Sequence, residues 1–312
     1  MPRSTLAATR RSGAPTAGPG LNLPGRRSIS PAYAFLLPGL AVFTLVMIVP
    51  TVQAFAISLT EWSVAPGRPS LFVGAQNYLT AVGDPVFWIA LQNSGVYVVA
   101  TVIPQMLLGL ALAVALDRPL RGRAGFRALI YIPVISSWVV VSLLFRYLFG
   151  TDGGAVNALL AEPVDWFGGR WSAMFVIVLL GLWKGVGWAM LIFLAALQSV
   201  PAELREAAAV DGAGRLRRFW VVTIPAIRRT IVFVSILLVI GGFNVFISVK
   251  LMTDGGPSDL TQVPLTYLYR QAFNFLDFGY GSAIAFVLTV LVFALSVTQL
   301  RFTRRDDEES AA

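Results

Sequence analysis

Six stretches of about 20 residues or more, nearly free of charge, recur along this chain, and they restrict its fold more than any other feature. They fall at about 33–59, 86–116, 129–149, 171–197, 229–251 and 282–300. A helix rising 1.5 Å per residue needs roughly 20 apolar residues to cross a hydrocarbon core about 30 Å thick. In lipid every backbone N–H and C=O must be satisfied internally, which leaves helices for runs of this length. The composition agrees: 13% of the 312 residues are charged, where a soluble domain carries about a quarter, and the mean hydropathy is +0.74. The expectation is an all-α membrane protein with six transmembrane helices in a domain at 31–303. A tail at 1–30, rich in Arg, Ser, Pro and Gly, is expected to be disordered, and a charged tail follows at 304–312. The first apolar run is too long for a cleavable signal and lacks a small-residue cleavage site.

An even number of spans puts both termini on one side, and the basic residues choose the side. The N-terminal tail, the loop 117–127, the polar region up to Arg229 and the C-terminus together hold 18 of the 24 Lys and Arg, while the 16 acidic residues split evenly. By the positive-inside rule that face is cytoplasmic, with both termini on it. Spread over membrane-flanking loops, these arginines suit topology and anionic lipid head groups. Nucleic acid would want them clustered with stacking aromatics. The chain has no Cys and no His, so thiolate nucleophiles, imidazole bases and the commonest zinc ligands are absent.

Between the fourth and fifth runs lies a polar, arginine-rich segment, 201–225, reading PAELREAAAVDGAGRLRRFWVVTIP. Its punctuation predicts a helix, a glycine turn and a second short helix. Ser199 is the candidate N-cap, Pro201 falls in the first turn, and Glu203 places a negative charge at the helix N-terminus. Gly212 supplies the stop and Pro225 ends the second helix. Glu203, Glu206 and Val210 share a face, and Ala207, Ala208 and Ala209 leave a surface of little bulk. A hairpin lying on lipid through its arginines is the plainer reading. The ordered spacing has no lipid rationale and favours docking to another protein.

That spacing resembles the EAA signature of the membrane subunits of binding-protein-dependent ABC importers. Glu206-Ala207-Ala208 is followed after three residues by Gly212 and after nine more by Val222-Thr223-Ile224-Pro225, where the family usually has Ile-x-Leu-Pro. Asp211-Gly212-Ala213 and Phe219 are similar to the carbohydrate-uptake branch, the maltose and glycerol-3-phosphate type. So are Phe145-Arg146-Tyr147-Leu148-Phe149 with Gly154 and Asn157, Leu194 to Gln198, Met252 to Pro257, Tyr269 to Phe273 and Gly279 to Ala283. The likeness covers roughly 33–300.

The resemblance implies a type I ABC importer permease fold, with a cytoplasmic coupling helix in the hairpin 199–226 between spans four and five. It implies that Glu206 makes a charged contact with an ATPase subunit, that Ala207 and Ala208 allow close approach, that Gly212 makes the turn back to the membrane, and that Asp211, Phe219 and Pro225 belong to the same ATPase-coupling set. The implied partners are a second homologous permease, two ATPase subunits and an extracytoplasmic solute-binding protein. The chain has no GxxxxGK[ST] loop to cradle a nucleotide. ATP and Mg are expected on the partner ATPase, with no catalytic residue and no cofactor in this chain.

A sugar pathway needs hydrogen-bonding groups and aromatic faces inside the bundle, and polar residues within spans are site candidates by default. On the fifth span Asn244 and Ser248 lie four residues apart, one helical face by that spacing, beside Phe243 and Phe246. The fourth span offers Trp183, Lys184, Gly187 and Trp188, and the third offers Tyr147 beside Arg146. The alternative is structural: aromatics as an interface belt, glycines and small polar groups as helix glue, Arg146 snorkelling outward. Both readings stand at this point. Lys184 and Arg146 also keep open an anionic solute such as glycerol-3-phosphate or a glycerophosphodiester. A secondary transporter would want carboxylates inside its spans, and no Asp or Glu lies well inside any of the six.

Overall fold

The computed structural model of the chain describes residues 31–62, 70–118 and 121–309. The tail at 1–30, Arg68 and the last three residues lie outside them. The chain forms two compact units, 1–50 and 51–312. In the first, α1 (Pro31–Phe43) runs into a π turn at Thr44–Ile48. Its apolar side chains from Phe35 onward are exposed, as expected of a helix that is hydrophobic on every face and meets lipid.

The second unit takes in most of α2 (Val49–Ser58) and a two-residue antiparallel ladder, β1 (Thr60–Glu61) with β2 (Leu71–Phe72). After α3 (Gln76–Gly83) comes the 33-residue α4 (Pro85–Asp117). Its start is well specified: Asp84 is the N-cap and accepts from the Val86 N–H at 2.8 Å, with Pro85 in the first turn. Tyr97, Ala113, Phe87 and Val98 place α4 in each of four buried apolar clusters. It is the axis on which the unit is built.

Around it pack α5 (Arg123–Ile135), α6 (Trp138–Leu148) and α7 (Arg170–Gln198). Next come α8 (Ala202–Val210), α9 (Arg215–Arg218), α10 (Ile224–Phe243) and α11 (Ile247–Met252). The chain ends with α12 (Pro264–Tyr269) and α13 (Phe278–Glu309). Among the described residues, five helical stretches are long and apolar enough to span a membrane, and six if α5 and α6 count as one broken span.

The structure corrects four expectations. The third run is not one helix. α5 and α6 meet at 93°, because Pro133 removes a backbone donor and Ser136 and Ser137 are extended, with ψ of 145° and 133°. The fifth run also breaks, at Asn244–Phe246, where Phe246 has φ −140° and ψ −61°. Asn244 and Ser248 therefore do not share one helical face.

Pro225 begins a helix instead of ending one. The chain passes from α9 through a π turn at Phe219–Thr223 into α10. Pro225, with no N–H to continue the ladder, stands as the second residue of α10, directly after the π turn. Ser199, finally, is not an N-cap. It closes α7, its Oγ donating to the Ala196 carbonyl at 2.7 Å, and Pro201 takes the N-cap position of α8.

Candidate functional site

A cavity of about 680 Å³ opens in the second unit where α4, α7 and the breaks after α5 and α10 come together. That is the size range of small-molecule sites. α4 supplies Tyr97, Thr101 and Gln105, α7 supplies Lys184 and Trp188, and Trp138 stands at the start of α6. The broken fifth run supplies Asn244, Phe246 and Ser248. Both helix breaks thus fall on the cavity wall, where backbone that leaves the helix can meet something other than lipid.

Four polar side chains on this wall differ in their partners. Gln105 donates its Nε2 to the Gly181 carbonyl at 2.9 Å, and Asn244 donates its Nδ2 to the Ile240 carbonyl at 2.9 Å. The Ser248 hydroxyl is buried and has no hydrogen-bond partner. Lys184 is 4% exposed, and its Nζ donates to the carbonyls of Pro133 (2.7 Å), Val134 (3.2 Å) and Ser136 (2.5 Å). The Trp138 ring lies 5.0 Å from the same ammonium.

Of the residues expected to line a pathway, the structure brings Lys184, Trp188, Asn244, Phe246 and Ser248 around this cavity. Four stand elsewhere. Phe243 is buried against Val98, Val102 and Leu288. Trp183 packs its ring on Phe145 at 5.7 Å. Tyr147 is 72% exposed. Gly187 lies where α5 crosses α7, and a Cβ there would run into the Ile130 carbonyl and the Val134 side chain.

Gln105, Tyr97 and Trp138 were missed in the sequence. Gln105 was discoverable, since an amide inside an apolar run is the same signal that picked out Asn244. The other two look like ordinary belt aromatics until the fold places them.

The polar hairpin is a second candidate site. α8 carries Glu206 and Ala207 exposed, with Ala208 half-buried. It ends in a left-handed turn: Gly212 has φ +77°, and the Ala213 N–H reaches back to the Ala208 carbonyl at 2.9 Å, the closing bond of a glycine C-cap. Asp211 and Pro225 are exposed and Phe219 is half-buried.

Arg205, which sequence reasoning counted only as a charge, anchors the hairpin. Its Nη2 donates to the Leu197 carbonyl at 2.6 Å, and its Nη1 lies 3.5 Å from the Asp117 carboxylate. One side chain thereby ties α8 to the ends of α4 and α7. Arg127 makes a similar cap, donating to the Leu116 carbonyl at 2.9 Å.

Comparison with known proteins places this geometry. The sequence profile of the family described as binding-protein-dependent transport system inner membrane component matches residues 105–305. The arabinooligosaccharides transport system permease protein AraP of Halalkalibacterium halodurans is 36% identical over 278 residues, 87% of each chain. The lactose transport system permease protein LacF of Rhizobium radiobacter is 33% identical over 281 residues, 87% of this chain and 93% of that one. In fold, the chain is similar to one in the crystal structure of a bacterial ABC transporter involved in the import of the acidic polysaccharide alginate. The TM-score is 0.76 at 21% identity, over 88% of this chain and 95% of the other. With a profile match over most of its length, and relatives of this identity and coverage, the chain is a multi-pass membrane protein that belongs to the family of binding-protein-dependent transport system inner membrane components.

Proposed function

We propose that this chain is one membrane-spanning permease subunit of an ATP-driven importer, and that its solute is a carbohydrate or a related polyol. The wall of the cavity carries the reading. Trp138, Trp188 and Phe246 offer flat apolar faces, and Gln105, Asn244 and Ser248 offer uncharged donors and acceptors. A pyranose has the matching surfaces: C–H faces that stack on aromatic rings and a rim of hydroxyls that hydrogen-bonds. The two curated relatives, named for arabinooligosaccharide and lactose transport, support the same solute class.

In this proposal the subunit pairs with a second homologous permease, and the two enclose the pathway. Two ATPase subunits hold ATP and Mg, and hydrolysis belongs to them. An extracytoplasmic binding protein delivers the solute. The hairpin 199–226 is the coupling element, with Glu206 and the small face of Ala207 and Ala208 against the ATPase. Closure of the ATPase pair pushes the hairpins together and turns the bundle from inward-facing to outward-facing. The basic face, bearing the hairpin and both termini, is cytoplasmic.

The experiment is to tag the chain, purify it gently from its native membrane and identify by mass what accompanies it. A second multi-span chain, an ATPase and a binding protein are expected, and vesicles rebuilt from them should take up a neutral sugar only with ATP. A chain that purifies alone and transports without ATP would overturn the reading. Lys184 motivates a second reading, an anionic solute, which predicts that glycerol-3-phosphate competes with uptake while neutral sugars do not.

A further inference from the structure

We infer that Lys184 is a positioning residue whose ammonium is spent on the carbonyl end of α5, and that the cavity it borders therefore recognises uncharged, hydroxyl-bearing solutes. The solute half rests on the function proposed above; the positioning half stands on geometry alone.

The last four carbonyls of a helix have no helical partner, and within an apolar run the neighbouring side chains offer them few donors. α5 stops at Ile135 in that setting, and the chain turns through 93° before α6 begins. Local groups meet part of the need: the Ser136 N–H reaches the Pro133 carbonyl at 3.3 Å, and the Ser136 Oγ donates to the Ile132 carbonyl at 2.9 Å. Lys184 adds bonds to Pro133 and Val134 of that helix end and to Ser136 just beyond it.

An ammonium has three N–H groups and no more. With three carbonyl partners and 4% exposure, it has none left for a phosphate or carboxylate. Its charge also faces the negative end of the α5 dipole, where a cation is favoured. Among the described residues that line the cavity, Lys184 carries the only formal charge. Once it is spent, the wall offers a solute the amides of Gln105 and Asn244 and the unpartnered hydroxyl of Ser248.

The arrangement also accounts for two neighbours on α7. Gly187, one turn on, lets the α5 backbone come close, and Trp183 packs on Phe145 of α6. α7 thus holds both halves of the broken span, and Lys184 holds the break itself.

The native sequence has no cysteine, so Ser137→Cys, at the exposed break, places a single thiol there. In membranes, labelling of that thiol by a water-soluble maleimide should quicken several-fold when Lys184→Met or Lys184→Gln is added, and return toward the parent rate with Lys184→Arg. An unchanged rate in both neutral variants would overturn the positioning role.

In vesicles holding the complete transporter, Lys184→Met should cut the maximal rate for arabinobiose or lactose at least tenfold, with KM within about threefold. Lys184→Arg should recover part of the rate. Selective loss of glycerol-3-phosphate uptake, with sugar uptake intact, would overturn the inference by making Lys184 an anion ligand. Wild-type vesicles that carry none of these solutes would fail the functional reading and the solute half, while the labelling result would still decide the positioning half.

Discussion

Arg170 and Asn93 stand 77 residues apart in sequence and meet in space: the Arg170 Nε donates to the Asn93 Oδ1 at 3.0 Å. The Asn93 amide nitrogen turns the other way and donates to the carbonyls of Leu260 (2.9 Å) and Gln262 (2.7 Å). One fully buried amide therefore joins α4, the first residue of α7 and the segment that leads into α12. Asn93→Ala removes every one of these bonds and leaves acceptors buried, at about 1–3 kcal/mol for each group stranded. The detergent-purified variant should melt several degrees below the parent. An unaltered melting temperature would mean that the segment 260–262 is held by other contacts.

Ser248 has the opposite balance. Its hydroxyl is buried and unpartnered, so Ser248→Ala breaks no bond in the fold and removes a group that is costly to bury unpaired. Stability should stay level or rise by up to about 1 kcal/mol. If the hydroxyl serves the solute, uptake should weaken by about 5–30-fold, the equivalent of one hydrogen bond of 1–2 kcal/mol. Melting and uptake measured on the same preparation separate the two effects. A variant that melts lower and transports normally would place Ser248 in the fold and not on the pathway.

These two residues show what could be read from the sequence and what could not. The apolar runs reveal the spans because the bilayer permits one solution at that length. The turn at Gly212 is equally legible, because a residue without Cβ enters the left-handed region at little cost, and its φ is +77°. The breaks at Ser136–Ser137 and Asn244–Phe246 are only hinted at, by Pro133 and by isolated polar residues. Each lies within a long, mostly apolar run that reads as one span, and what stabilises it comes from another helix or faces an internal cavity. Lys184 is the clearest case. Its depth marks it as special, but its partners sit about 50 residues earlier on a helix end that only the fold reveals. Phe243 and Tyr147 stand away from this cavity for a related reason: an aromatic in a span looks the same whether it faces a cavity, a neighbouring helix or lipid.

Asp84 makes the protein sensitive to acid. Burial pushes its carboxyl up, but hydrogen bonds from Tyr267 and Tyr280 and from the N–H groups of Val86 and Phe87 outweigh that and hold it below the usual value of 3.8. Stability from the ionised form is therefore complete above about pH 4 and is lost as the pH falls through the lowered value. Tyr267 is pushed up to about 12, first by burial and then by Asp84. Its contribution is complete below pH 10 and lost as the pH rises from there through about 12. In thermal scans the parent should lose more stability than Asp84→Asn between pH 5 and pH 3. Parallel curves would show that the clasp among α4, α12 and α13 does not depend on this charge.

The last prediction separates the shape of the hairpin from its charge. Gly212 is in the left-handed region, with nothing within 4 Å of where a Cβ would sit. A side chain there meets backbone strain and no clash. A β-branched Gly212→Val should misdirect the turn at a cost of about 1–2 kcal/mol, while Gly212→Asn, which enters that region more readily, should be mild. Glu206 is exposed, so Glu206→Ala should leave the chain inserted and its melting temperature within a degree or two. Both Gly212→Val and Glu206→Ala should lower the ATPase co-purified with the complex, by about 5–30-fold if each removes 1–2 kcal/mol of docking. The asparagine variant should retain most of it. ATPase recovery that follows Gly212 but ignores Glu206 would mean that the hairpin docks by shape alone. Recovery indifferent to both would remove the coupling role from this segment.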